Sequence, residues 1–183
     1  MIGSILEWPT APDGAPLTLV MSIPVTFLNE HAGCNLPQEM FVSVFSHYSD
    51  REYFLDTITY HGSADELEVI REGFTRVILH KKGTEEFGIV QVPAIAIDIE
   101  NSEPDNNKQS TISKLGGEPD LLQAEPLDLG REKFILQIYG SNFPKPYQGI
   151  FGLSDAIGYL FIDPYQKISE NFSDIGTFFV QVT

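Results

Sequence analysis

Positive charge is scarce in this sequence. Lys and Arg number 11 against 26 Asp and Glu, for a net charge of −15, and the first 50 positions contain no Lys or Arg. Non-specific nucleic-acid binding depends on neutralising phosphates with Lys and Arg, so a chain this acidic is not expected to bind nucleic acid. Anionic membrane surfaces are disfavoured for the same reason. Cysteine is nearly absent. Cys34 stands alone, so it cannot close an internal disulfide, and it lacks the basic surroundings that favour a reactive thiolate. No apolar run approaches the roughly 20 residues needed to span a bilayer. The opening residues, 1–17, carry neither the basic residue nor the long apolar run of a secretory signal. These absences together predict a cytoplasmic protein.

The familiar signatures of catalysis and metal binding are missing as well. No G-x-S-x-G elbow occurs, and Ser154 with Asp155 reads as a turn. Gly116 and Gly117 precede Glu118 and Pro119 without the Gly-Lys-Ser/Thr ending of a phosphate loop. His31 and Cys34 have a metal-compatible spacing, but two further ligands at recognisable spacing are lacking. Asp98, Glu100, Glu103 and Asp105 alternate without the EF-hand pattern and read as a solvated acidic rim. Acidic residues are numerous enough for many glycosidase-type carboxylate pairs, but nothing selects one. No catalytic residue, metal or cofactor is therefore expected, and the balance tips from enzyme towards binding protein.

What is present is a foldable chain. Its 183 residues are 42% apolar, enough for one domain with a core of its own. Residues 1–16 are rich in Pro and Gly and read as a lead-in. Leu17 to Phe27 is an apolar, β-branched run interrupted at Pro24, where an edge position or bulge is expected. Met40 to Phe45 and Tyr53 to His61 read as two strands, with turn residues at 47–52 making them a hairpin. Ser63 to Phe74 is the best helix. Ser63 and Glu66 form a capping box, Leu67, Ile70 and Phe74 share one face, and Gly73 stands where a C-terminal cap is useful. Further strands are expected at Arg76 to Lys81, Phe87 to Ile99, Lys133 to Tyr139, Ile157 to Asp163 and Thr177 to Val182. Residues 100–110 are polar and read as a loop. Eight acidic residues fall between Asp98 and Asp128, against only Lys108 and Lys114.

The two halves echo one another. An offset of 117 residues lays Leu17 to Met21 over Phe134 to Ile138, and Phe41 to Phe45 over Gly158 to Ile162. The expected fold is α+β: sheet-dominated, mostly antiparallel, with two similar tandem halves in one compact domain. The first half runs to about residue 98, the acidic loop covers about 99–112, and the second half covers 113–183.

The second half also resembles a known family. The residues that carry this are Ser113 to Pro119, Gln123, Lys133 to Ile138, Gly152 to Ile162, and the closing Phe178 to Gln181. They are similar to the YwqG-like proteins, a bacterial family of largely unassigned biochemistry. Trp8, Pro9 and Leu17 to Met21 look like that family's opening element. The chain departs from the pattern at Leu121 and Leu122 and at Met21 and Ser22. The resemblance implies a duplicated α+β fold and no particular activity.

Two candidate sites follow from the residues. A net charge of −15 steers basic partners, so the leading expectation is an acidic binding protein, in its sharpest form an immunity protein that neutralises a basic toxin. Its surface would comprise Glu118, Asp120, Glu125 and Asp128, with Tyr147 and Phe151 as aromatic anchors. The alternative is a small-ligand-binding protein or enzyme using a cleft between the halves. Gln137 and Gln181 interrupt apolar strands, and alternation could place them on one open sheet face. With Gln123 and Asp155 they form the candidate ligand cleft.

Overall fold

The computed structural model describes residues 8–82, 95–98, 100, 112–123, 127–145, 147–166 and 172–182. Its elements are β1 (Thr18–Pro24), α1 (Val25–His31), β2 (Met40–Ser46), α2 (Ala64–Val69), β3 (Thr75–Lys81), β4 (Lys114–Leu115), β5 (Lys133–Tyr139), β6 (Ile157–Ile162) and β7 (Phe172–Gln181). The seven strands form one antiparallel sheet in the order β1-β2-β3-β7-β6-β5-β4, curled into a half-barrel. The sheet holds two three-stranded meanders, β1-β2-β3 and β5-β6-β7, whose last strands pair with each other along a β3–β7 seam. The first strand of each meander is bulged, between Leu19 and Met21 and between Phe134 and Leu136. The seam is irregular too. Val77 pairs with Gly176 but Ile78 with Asp174, so Ile175 is an extra residue on β7.

Both faces of the sheet are covered. One face carries a large apolar cluster that includes Met21, Val42, Val44, Val77, Leu79, Leu160, Ile162, Phe178 and Val180. Val25 and Leu28 of α1, together with Phe54, Leu55, Ile58 and Phe151, pack against it. The opposite face carries two smaller clusters. Over β5–β7 lie Tyr60, Leu67, Ile70 and Leu129, packed on Ile157, Tyr159, Phe161 and Phe179. Over β2 and β3 lie Trp8, Ala11 and Leu17, packed on Phe45 and Ile78. The alternation along β2, β6 and β7 is thus that of strands buried on both faces, which explains their near-continuous apolar text.

Several expectations meet a different structure. The run from Leu17 to Phe27 is not one strand: at Pro24 the chain leaves β1 and enters α1. Pro24 keeps an extended backbone, and Val25 and Leu28 then fall one helical turn apart on the buried face. The hairpin of 40–45 with 53–61 does not form, because β2 pairs with β1 and β3. Residues 55–57 make a single 3-10 turn and Thr59 a lone parallel bridge to Val180. The helix at Ser63 starts on its capping box, with both reciprocal bonds made, and ends in a wide turn over Ile70–Phe74 containing Gly73 at φ 122°. Of the expected strand at 87–99, residues 87–94 and 99 lie outside the described residues, and 95–98 are not in a strand. The 117-residue offset lays Val42 over Tyr159, yet these sit on opposite faces of the sheet. A slip of one residue reverses every side chain, so the echo is not a residue-for-residue equivalence. Among the described residues, no helix is long and apolar enough to cross a membrane.

Candidate functional site

The residues singled out from the sequence separate into three places. Gln137 and Gln181 do share a sheet face, but it is not open: both are fully buried. They hold down a strap, residues 118–123, that crosses β5–β7 without strand pairing. The Gln137 Oε1 accepts the Asp120 N–H at 3.0 Å, and its Nε2 donates to the Ile112 carbonyl at 2.9 Å. The Gln181 Oε1 accepts the Leu122 N–H at 2.8 Å, and its Nε2 donates to the Tyr60 carbonyl at 3.2 Å. Between them the Tyr159 hydroxyl donates to the Asp120 carbonyl at 2.7 Å. Burial, with the Asp120 charge adding to it, pushes the Tyr159 phenol well above its ordinary value, so it stays a donor. Gln123 donates to the Val182 carbonyl at 3.1 Å, while its own Oε1 is buried without a hydrogen-bond partner. Side-chain amides here replace the ladder bonds that an added strand would have made.

The acidic set is spread along and beyond this strap. Glu118 and Asp128 are exposed. Asp120 is half-buried and its carboxylate meets the Lys114 ammonium at 2.6 Å. Glu125 lies outside the described residues. Of the two aromatics, Tyr147 is half-buried, while Phe151 is fully buried between Phe143 and Phe178. Phe151 is therefore a core side chain and offers no surface. Asp155 is exposed in the turn ahead of β6.

A cleft of about 400 Å³ opens elsewhere, along the β3–β7 seam. It lies beside the apolar cluster over β5–β7, which lends it Ile70 and Leu129, where the ladder is interrupted by the bulge at Ile175. The wide turn after α2 brings Arg71 and Glu72 to it. The turn before β5 brings Leu129, Arg131 and Glu132, the turn after β6 brings Asp163 and Gln166, and the strands themselves supply Arg76, Asp174 and Thr177. Three of the four arginines of this acidic chain thus line one cavity. None of Gln123, Gln137, Asp155 and Gln181 does.

The charges in the cleft are unevenly matched. Arg76 is clamped by Asp174 through both carboxylate oxygens, with its Nε 2.9 Å from Oδ1. Arg131 donates to Asp163 at 2.7 Å. Glu132, by contrast, is held by Thr177, whose hydroxyl donates to Oε1 at 3.1 Å and whose backbone N–H adds to the hold, and the Arg71 guanidinium stops 3.6 Å from Oε1. The second oxygen, Oε2, is buried with no hydrogen-bond partner. Burial pushes this carboxyl above its ordinary value. The Thr177 bond and Arg71 work against that shift and Asp163 adds to it. A buried carboxylate oxygen without a donor is costly.

Other constellations carry less. Ser43 Oγ lies 2.8 Å from His80 Nε2, and His80 Nδ1 lies 2.7 Å from the Lys81 carbonyl. Ser43 is buried in mid-ladder, where neighbouring N–H groups are engaged and no oxyanion could be received. Cys34 is buried, which pushes its thiol up despite the nearby Lys133, and His31 is exposed. Among the described residues, no three His, Cys, Asp or Glu side chains converge to hold a metal.

The seam cleft has no precursor in the sequence reading, because Arg71, Arg76, Glu132 and Asp174 are brought together only by the pairing of β3 with β7. The one available signal is that arginine is rare in this chain. Comparison with family models, with curated proteins and with solved structures gave no match.

Proposed function

We propose that this protein works by binding a small polar ligand in the cleft along the β3–β7 seam. The observation that carries this reading is a cavity of about 400 Å³ that gathers Arg71, Arg76 and Arg131, three of the chain's four arginines, with the carboxylates Glu72, Glu132, Asp163 and Asp174. That volume lies within the usual range for small-molecule sites, and convergent polar groups on a partly apolar wall are their usual furniture. Two meanders meeting at their last strands, each opening on a bulged strand, fit a duplicated unit. The resemblance to YwqG-like proteins belongs to the same proposal. A thermal-shift screen of small metabolites tests the reading. A true ligand at 100 times its Kd adds about 2.7 kcal/mol, a rise of roughly 5–10 °C for a chain of this size. Arg71→Gln is expected to reduce that rise while leaving the unliganded Tm within about 2 °C, since Arg71 is half-exposed. A ligand whose shift is unaffected by Arg71→Gln and Glu132→Gln would bind somewhere else.

A second reading keeps the acidic surface as a docking site for a basic protein, including a toxin. It is favoured by the net charge of −15 and by the exposure of Glu118 and Asp128. Under it, Glu118→Lys with Asp128→Lys is expected to slow association with that partner at least tenfold at low salt, with a smaller effect at high salt. Association rates unchanged at low salt would remove this surface.

A further inference from the structure

We infer that Ser22 is a nucleophile that takes the acyl group of an uncharged aryl ester, with Ser43 and His80 relaying its proton inward. The three residues lie on β1, β2 and β3, and none of them lines the seam cleft. Ser43 Oγ is 2.9 Å from Ser22 Oγ and 2.8 Å from His80 Nε2. Register places all three on one sheet face. Ser22 pairs with Ser43, and His80 pairs with Phe41, two positions from Ser43. Ser43 and His80 are buried, and Ser22 is exposed.

The direction of these bonds follows from one contact. His80 Nδ1 lies 2.7 Å from the Lys81 carbonyl, which can only accept, so Nδ1 carries the proton. In the neutral ring Nε2 is then an acceptor, and Ser43 donates to it. A hydroxyl has one hydrogen, so the contact between Ser22 and Ser43 is donated by Ser22. The opposite direction would need protons on both ring nitrogens. Ser22 therefore turns its hydrogen inward and its lone pairs to solvent. A nucleophile, a base and a group that orients the base make the triad arrangement, here with one hydroxyl inserted.

Ser43 is closed off in mid-ladder, but Ser22 stands on the outermost strand. Among the described residues, β1 pairs on one side only. Alternate N–H groups of such a strand point outward, so one within a residue of Ser22 faces out, where it can receive the developing oxyanion. Leu19 and Pro24 are exposed on the same face, paired with Phe45 and Phe41, and they flank the hydroxyl with apolar surface. No charged residue occurs between Asp13 and Glu30, so β1 suits an uncharged acyl donor better than an anionic phosphoryl donor. In the step, Ser22 Oγ bonds to the ester carbonyl carbon as the bond from that carbon to the aryl oxygen breaks. The Ser22 proton passes to Ser43, the Ser43 proton passes to His80 Nε2, and the imidazolium later releases a proton to water. The relay runs inward and offers the leaving group no proton. That group must depart as a stable anion, which selects an aryl ester. Acylated Ser22 no longer links solvent to His80, so the acyl group stays in place.

Incubation of the full chain with p-nitrophenyl butyrate, read by p-nitrophenolate release and by peptide mass spectrometry, tests this. A single burst of p-nitrophenolate is expected, with one butyryl group per chain, on Ser22. Ser22→Ala, at an exposed position, is expected to abolish the burst and leave the Tm within about 2 °C. His80→Gln and Ser43→Ala are expected to slow acylation of Ser22 at least tenfold. Ser43→Thr keeps the hydroxyl and is expected to keep most of the rate. The wild-type burst is expected to slow in D2O, and His80→Gln to lose that slowing, which a merely structural histidine would not cause. Butyrylation confined to other residues, or no burst at all, would overturn the inference. So would a Ser22 adduct formed at the wild-type rate in folded His80→Gln and Ser43→Ala, since the hydroxyl would then react without the relay.

Discussion

Replacing Gly176 with alanine is expected to lower the Tm by at least roughly 6–12 °C, the equivalent of about 3 kcal/mol in a chain of this size. Gly176 pairs with Ile162 on one side and Val77 on the other, so it stands at the junction of the two meanders. A Cβ there would penetrate the Phe161 carbonyl oxygen and sit 3.0 Å from the Ile162 Cα. Both are backbone atoms and neither can rotate away. Relief would require β6 and β7 to separate, which breaks ladder bonds between those two strands and distorts the cleft that Gly176 lines. Gly149→Ala is the control. Nothing lies within 4 Å of its added Cβ, and its effect is expected to stay within about 0.5 kcal/mol. Thermal unfolding followed by circular dichroism checks both. Equal Tm values for the two variants would mean that β6 and β7 do not approach as closely at Gly176 as described.

The second large effect is expected at the strap. Gln181→Leu keeps much of the side-chain volume but removes two hydrogen bonds, to the Leu122 N–H and the Tyr60 carbonyl. Gln137→Leu removes those to the Asp120 N–H and the Ile112 carbonyl. A buried backbone group left without its partner costs about 1–3 kcal/mol. Each variant is therefore expected to lose about 2–4 kcal/mol, or roughly 4–16 °C in Tm. Amide exchange of Asp120 and Leu122 is expected to accelerate more than that of β6, because the strap has no ladder bonds of its own to fall back on. The double variant should lose less than the sum of the two, since releasing one end of the strap already frees the other. Unchanged protection of the Leu122 amide in Gln181→Leu would show that the strap is held by the packing of Leu121 and Leu122 alone.

These two positions illustrate what could be read from residue order. The interruption of apolar strands by Gln137 and Gln181 was a sound signal, since a glutamine amide in such a place must bond or face water. Which of the two it does depends on whether anything covers the face, and the strap that covers it comes from residues 118–123, distant in sequence. The helix at Ser63 was legible because its capping box is a local device, complete within four residues. Met40 to Phe45, Arg76 to Lys81 and Lys133 to Tyr139 were legible as strands because β-branched and aromatic runs bounded by turn residues are likewise local. Tyr53 to His61 carried the same kind of text but became a 3-10 turn and a single bridge. Its apolar residues pack beneath the sheet instead of pairing within it, and pairing is not encoded in composition.

The sequence by itself determined an acidic, sheet-rich chain with one capped helix. Charge, apolar period and caps are properties of neighbouring residues, and they survive without knowledge of the rest of the fold. Only the tertiary structure decided where the meanders join and which arginines meet which carboxylates. It also decided that one oxygen of Glu132 should be left buried and unpartnered. Arg76 and Asp174 are 98 positions apart and become partners solely because β3 and β7 are adjacent. A contact of that kind is set by strand order and register, and these are chosen by the summed packing of both sheet faces rather than by any local pattern.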